Sequence, residues 1–325
     1  MEEKVWVEDP VFEGEIRATF GRVKREVAKV IVGETKLQES INIGLITGGS
    51  VIAEGPPGEG KSLTMETYQR VLGLTYARIQ GLPDIMPKDI EGYREGNIFR
   101  KGPIFHQLVL FDEINRAPGK SKAAILNPMQ TGFVKPIDWN AELPVPDPFF
   151  VMATMNPTED RKVTYPLATA ELDRFSLRTR TKKKTVQELR QVAVRDAGFN
   201  LRRVEQVVDA DYLRRAIAYV KGASYCSEEH PIVDYISRLA REMQFFTEEG
   251  ETSSSPRAVR SFWLSLVAFR ILEGVPAITP EHVEYLIRRC WHHRIIADSE
   301  ERRSRILDEA LERVSPVPLP DGKKQ

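Results

Sequence analysis

The sequence predicts an α/β protein built on a parallel sheet, followed by an all-helical C-terminal region. Three observations carry this reading. Short apolar, β-rich runs alternate with helical stretches through the first half of the chain, as in a parallel sheet buried on both faces. One of those runs leads directly into Gly55-Pro56-Pro57-Gly58-Glu59-Gly60-Lys61-Ser62, which fits G-x-x-x-x-G-K-[ST], a phosphate-binding loop. After Lys184 the strand pattern stops and only helical stretches follow.

Taken in order, Glu13 to Ile31 carries Phe20, Val23, Val27 and Val30 at helical spacing, and Glu34 to Thr47 forms a second helix ended by Gly48-Gly49. Ser50 to Glu54 is a buried strand, the glycine loop follows, and Leu63 to Leu72 is a helix with Gly73 as its C-cap. Strand, loop and helix in that order are the context the motif requires. Further strands are expected at Thr75–Ile79, Leu108–Phe111, Phe149–Thr154 and Asp173–Thr179. Between them, Pro83 to Arg100 is polar and punctuated by Gly and Pro. Ser121 to Met129 reads as a helix that Pro128 ends or kinks, and the proline-rich Thr131 to Pro148 as an inserted hairpin or loop. Helices are expected at Glu188–Ala197, Asp211–Val220, Ile232–Phe246, Arg257–Leu272, Glu281–His292 and Glu300–Val314. Ser253-Ser254-Ser255 caps the Arg257 helix, and Thr279-Pro280 starts another. The domain boundary falls near residues 183–200, and the tail from Ser315 is expected to fray.

Composition narrows the function. The 325 residues hold 47 Lys+Arg and 47 Asp+Glu, a formal net charge of +0, so no global basic field draws nucleic acid or anionic membrane. Hydrophobic content of 41% supports a sizeable core. Cys226 and Cys290 lie far apart with no metal spacing and read as buried free thiols of a reducing compartment. No apolar signal region opens the chain and no run of about 18 apolar residues occurs, so a cytoplasmic protein is expected. The five histidines show no ligand spacing, and His292-His293 reads as helix-end surface. Lys182-Lys183-Lys184 with Arg178 and Arg180 reads as a solvated linker. Trp139 and Phe133 fit either core or partner contacts.

The chemistry lies in the loop and in an acidic pair. Glycines let the loop curl so that backbone N–H groups face phosphate oxygens, and the helix N-terminus adds its positive dipole end. Lys61 is placed to reach the β- and γ-phosphates, and the Ser62 hydroxyl to ligate Mg²⁺. Asp112-Glu113 closes the apolar run Leu108 to Phe111. The first carboxylate can hold the metal while the second serves as general base on a water.

Around these residues the sequence resembles the MoxR family of AAA+ ATPases. The resemblance rests on Gly55 to Lys61, Arg78-Ile79-Gln80, Gly102 to Phe105, Phe111 to Pro118 and Ala153 to Pro157. It continues in Thr164 to Leu167, Leu172 to Phe175 and Ser255 to Ala258, and runs from about Ile31 to Ile296. It implies a P-loop fold with a five-stranded parallel sheet (residues 1–190, short N-terminal helices included) and a helical lid domain (191–325), with ATP between them. Gly55 to Leu63 would hold the phosphates, Val32 and Gly33 the base, and Ser62 and Asp112 the Mg²⁺. Glu113 would be the base and Asn156 the first sensor. Arg257 would be a second sensor reaching the γ-phosphate in cis, and Arg174 a finger acting in trans, with Arg116 and Arg161 as competitors. Tyr93 to Phe105 and Phe133 to Phe149 match the family's two inserts. Glu34, Met155, Asn127-Pro128 and Thr131 depart from its usual residues. The family implies a ring, expected to be a hexamer, and a protein client of the kind that carries a von Willebrand factor A domain. An ATP-gated scaffold and a nucleic-acid motor are the competing readings; Glu113 and Arg174 argue against the first, neutral charge against the second.

Overall fold

A computed structural model describes residues 9–156, 164–195, 197–224, 230–245, 255–295, 297 and 299–314. The chain begins with α1 (Pro10–Ala28) and α2 (Thr35–Thr47), then β1 (Ser50–Glu54) and α3 (Lys61–Leu72) on either side of the glycine loop. Next come β2 (Tyr76–Gln80), α4 (Pro87–Glu91) and a hairpin of β3 (Gly92–Glu95) and β4 (Ile98–Lys101). Strand β5 (Leu108–Asp112) leads to α5 (Gly119–Leu126), α6 (Pro128–Thr131) and a second hairpin, β6 (Phe133–Val134) with β7 (Leu143–Pro144). Strand β8 (Phe150–Met155), α7 (Thr169–Leu172) and β9 (Leu177–Arg180) complete the α/β part. The remainder is helical: α8 (Val186–Val194), α9 (Ala197–Arg202), α10 (Ala210–Ala223), α11 (Pro231–Phe245), α12 (Pro256–Glu273), α13 (Pro280–Cys290) and α14 (Glu300–Arg313).

The main sheet has five parallel strands in the order β2-β5-β8-β1-β9. Its apolar runs are continuous because both faces are covered, and successive side chains serve opposite faces. Val51, Ala53, Leu108, Leu110, Phe150 and Met152 join a core with α1, α2, α12 and α13. Ile52, Val109, Phe111, Val151 and Ala153 join a second core with Ile79, Ile104, Ile114 and Ile125. The first core is continuous from the N-terminal helices through the sheet into the C-terminal helices. Among the described residues no helix is long and apolar enough to cross a membrane.

Several expectations change. The last strand starts at Leu177 rather than Asp173, because Asp173 N–H donates to Thr169 O and Phe175 N–H to Leu172 O, prolonging the turn of α7. Pro128 does end a helix at Leu126, and then starts α6 as its first residue. The hairpin β3–β4 and helix α9 were not legible as elements. Trp139 packs on Phe99 at 5.5 Å between ring centroids, joining the two hairpins, while Phe133 is half exposed. Ser255 caps α12 by accepting from Ala258 N at 3.1 Å; Ser253, Ser254, Cys226, Arg161 and the tail from Ser315 lie outside the described residues. Cys290 is a buried free thiol that burial pushes up to about 11.

His292 and His293 are buried, not surface, at 9% and 1% exposure. Arg178 lies 3.1 Å from His292 Nδ1, Ser304 Oγ lies 3.0 Å from its Nε2, and His293 Nε2 meets Phe175 O at 3.0 Å. Burial pushes His292 down to about 4; Glu300 opposes this, and Arg178, Arg180 and Arg303 reinforce it. His293 is held well below its usual value for the same first reason. As pH falls below about 6.5, the unfolded chain takes up protons that the folded chain refuses. The stability owed to neutral His292 is therefore present above that pH and lost as pH falls towards about 4. Urea melts at pH 7 and pH 5 should show a smaller loss of unfolding free energy for His292→Gln than for the natural protein; equal losses would refute this.

Candidate active site

Because the five strands are parallel, their carboxyl ends gather along one edge, where open α/β sheets bind ligands. There Gly55 to Leu63 follows β1, Asp112-Glu113 ends β5, and Met155-Asn156 ends β8. A cleft of about 350 Å³ is lined by Gly55, Pro57 to Leu63, Arg78, Asp112, Glu113, Thr154, Met155 and Asn156. Gly58 and Gly60 have φ of +84° and +88°, and a Cβ on either would project into open space, so the loop presents bare backbone to the cleft. Lys61 Nζ donates to Gly55 O at 2.8 Å and Pro56 O at 2.7 Å, across the curl of the loop. Burial pushes its amine below the usual range, while Asp112, Glu34, Glu59 and Glu113 pull it back.

Asp112 is the electrostatic centre. It is 8% exposed, a burial that opposes its charge. Three donors outweigh that penalty: the Thr154 hydroxyl on Oδ1, and Ser62 Oγ at 2.9 Å and Arg78 Nη2 at 2.5 Å on Oδ2. They hold its carboxyl below the usual carboxylate range, and each charge-assisted bond contributes roughly 1.5–3 kcal/mol. A carboxylate kept ionised beside a hydroxyl suits a hard divalent cation. Among the described residues no group of three or more His, Cys, Asp or Glu converges, so Asp112 and Ser62 would supply only part of a hard cation's oxygen shell.

Glu113 has φ of +55°, a left-handed conformation rare outside glycine and found where surrounding structure enforces it. Its N–H donates to Thr154 Oγ1 at 2.9 Å, and its carboxylate meets Gln80 Nε2 at 2.7 Å and Arg116 Nη1 at 3.1 Å. Thr154 therefore ties the two acids together. Arg78, Gln80 and Thr154 carry parts of the site that the sequence reading did not assign. Their signal was polarity within strands: Arg78 and Gln80 share one face of β2, and Thr154 interrupts an otherwise apolar β8.

The segment after α1, expected to line a base, meets the phosphate loop through a lysine read as linker. Lys184 is 13% exposed, not solvated; its Nζ lies 3.6 Å from Glu34 Oε1 and 3.3 Å from Glu59 Oε2, and donates to Glu59 O at 3.0 Å. Val32 is buried, and Gly33 has φ of +73° with Glu188 where its Cβ would stand. Burial raises the Glu34 carboxyl and Lys184 opposes that rise. The clamp thus joins the loop after α1 to the phosphate loop.

The two arginines are elsewhere. Ser50, the first residue of β1, donates from Oγ to Arg174 O at 3.2 Å, which puts Arg174 at the amino edge of the sheet, roughly 15 Å along the strand from the phosphate loop. Its Nη1 donates to Asn127 Oδ1 at 2.9 Å. Arg257 Nη1 lies 3.3 Å from Asp173 Oδ2, at the same edge, and Arg257 does not line the cleft. The expected reach of Arg257 to a γ-phosphate in cis is therefore corrected, because Asp173 holds its helix at the opposite end of β1. Asp173 also accepts from Ser255 Oγ and pairs with the buried Arg294.

Residues 50–177 match the model of the ATPase family associated with various cellular activities. The chain is 33% identical over 296 residues to the chaperone MoxR1 of Mycobacterium tuberculosis, covering 86% of this chain and 76% of that one. The chain belongs to the MoxR family of AAA+ ATPases. Protein MoxR of Methylorubrum extorquens is 26% identical over 334 residues, covering 94% of this chain and 96% of that one. A crystal structure of a proposed ATPase from Cytophaga hutchinsonii superposes with a TM-score of 0.80 at 27% identity, covering 94% and 97% of the two chains. Within this MoxR-family chain the Lys184 clamp should matter for nucleotide affinity, since without it two partly buried carboxylates face an incoming triphosphate uncompensated. Lys184→Ala should weaken binding of a labelled ATP analogue by about tenfold, which is about 1.4 kcal/mol. Adding Glu34→Gln should recover part of the loss. Equal affinity in all three forms would remove the clamp.

Proposed function

We propose that the protein hydrolyses ATP with Mg²⁺ and uses the turnover, as a ring, to remodel a protein partner. One observation supports this most: at the carboxyl edge an ionised Asp112 and a conformationally constrained Glu113 stand over the phosphate loop with Asn156 beside them. Ser62 and Asp112 would hold Mg²⁺, which supplies charge neutralisation on the phosphates. Lys61 binds the phosphates, Glu113 accepts the proton of the attacking water, and Asn156 orients that water. Gln80 and Arg116 both meet Oε2 of Glu113 and so orient the carboxylate, leaving the water to its other oxygen, Oε1.

The arginine edge supports self-association. Arg174 and Arg257 are presented together, on the side of the chain away from its own cleft. A head-to-tail interface would carry them to a neighbour's nucleotide, and repetition of such an interface closes a ring, here taken as a hexamer. The name chaperone on the Mycobacterium relative supports a protein client. A client carrying a von Willebrand factor A domain is the partner class proposed. The two hairpins offer it exposed apolar side chains: Tyr93 and Ile98 on one, Phe133 and Ile137 on the other.

Glu113→Gln should bind ATP with unchanged affinity and lose turnover by roughly 10²–10⁴-fold, the usual worth of a general base. Steady-state phosphate release and a binding isotherm on that variant decide the point. Turnover at the natural rate would remove Glu113 as base.

A further inference from the structure

A second pocket, of about 440 Å³, opens beside β9 and shares no lining residue with the nucleotide cleft. Six cationic side chains converge on it from three parts of the chain: Lys36 of α2, Arg178, Arg180 and Lys182 of β9 and its exit, and Arg288 and Arg289 of α13. Among the described residues Glu284 is the one carboxylate in its lining. Four of the cations have carboxylate partners: Arg178 and Arg180 meet Glu54 and Glu300, Arg288 meets Asp308, and Arg289 meets Glu39. Lys36 and Lys182 have none among the described residues, and both are exposed at the rim.

The floor is less satisfied than the rim. The side chains of Arg178 and Arg289 are only 6% and 9% exposed, yet Arg178 Nε and Arg289 Nη2 have no hydrogen-bond partner among the described residues. A buried guanidinium N–H left unpaired is costly, and such groups in native structures call for a partner. Guanidinium forks match the oxygens of phosphoryl groups, and ammonium groups add point charge. Helix-surface arginines alone would not converge in this way; here strand, helix and connecting loop each contribute.

We propose that this pocket binds a small anion carrying two or more phosphoryl groups, whose oxygens reach Arg178 and Arg289 at the floor and Lys36 and Lys182 at the rim. Its position gives it a neighbour of consequence: Arg178 and Arg180 also hold Glu54, the residue that precedes Gly55 of the phosphate loop. The assignment does not depend on ATP turnover.

Inorganic pyrophosphate is the probe, titrated calorimetrically at about 0.15 M salt into the full-length Lys61→Ala protein, in which the nucleotide cleft lacks its lysine. Saturable binding is expected. Adding Lys36→Gln and Lys182→Gln should weaken it by about tenfold or more without lowering the melting temperature, since both side chains are exposed and neither forms an ion pair with a described residue. No saturable binding would overturn the proposal, and so would binding that ignores the two rim substitutions. Binding present in the natural protein but absent from Lys61→Ala would belong to the nucleotide cleft and equally overturn it. Inorganic phosphate binding as tightly as pyrophosphate would indicate an adventitious ion only.

Discussion

The site depends on one buried charge. Asp112 sits at the end of β5 in a setting that penalises ionisation, and Thr154, Ser62 and Arg78 keep it ionised all the same. Each of these donors comes from a different element: β8, the start of α3, and β2. The carboxylate can be satisfied only when the strands are in register and the phosphate loop is closed at its helix end. Folding of the sheet and assembly of the site are thus one event, because the same parallel order that buries the apolar runs delivers the donors.

That order also divides the machinery. The phosphate loop, the two acids and Asn156 are on the carboxyl edge, whereas Arg174 and Arg257 are fixed to the amino edge by Ser50, Asn127 and Asp173. No side-chain motion spans the length of β1. A chain of this geometry holds the loop, the acids and Asn156 at one edge, and offers its arginines outward. In the proposed ring each subunit would supply charge to its neighbour, and the phosphoryl oxygens gain most from a guanidinium that arrives only on assembly.

Much of this was legible in the sequence. The phosphate loop is a local device, so eight consecutive residues announce it, and the strands read clearly because burial on both faces leaves uninterrupted apolar runs. The acidic pair stood out for the same reason, as the polar end of an apolar run. Long-range partners were not legible. Arg78, Gln80 and Thr154 matter because β2, β5 and β8 are neighbours, and strand order is not written in any one segment. Lys184 was hidden in a run of three lysines; only the fold distinguishes it, by placing it between Glu34 and Glu59 while Lys182 stays exposed. His292 and His293 misled in the same way, since a helix end is exposed by default and becomes interior here because β9 and α14 pack over it. Arg257 was placed correctly at a helix start and wrongly in space, for want of the Asp173 contact that fixes it.

The claim that the site is completed by a neighbouring chain is tested most directly by mixing two inactive proteins. Lys61→Ala would lack a working phosphate loop and keep its arginine edge; Arg174→Ala would keep its loop and lack the proposed finger. Each alone should be inactive, and phosphate release should return when the two are mixed, because a mixed interface pairs an intact loop with an intact arginine. Natural-level activity of Arg174→Ala by itself, or silence of the mixture after mixed assemblies have been demonstrated by mass, would contradict the account.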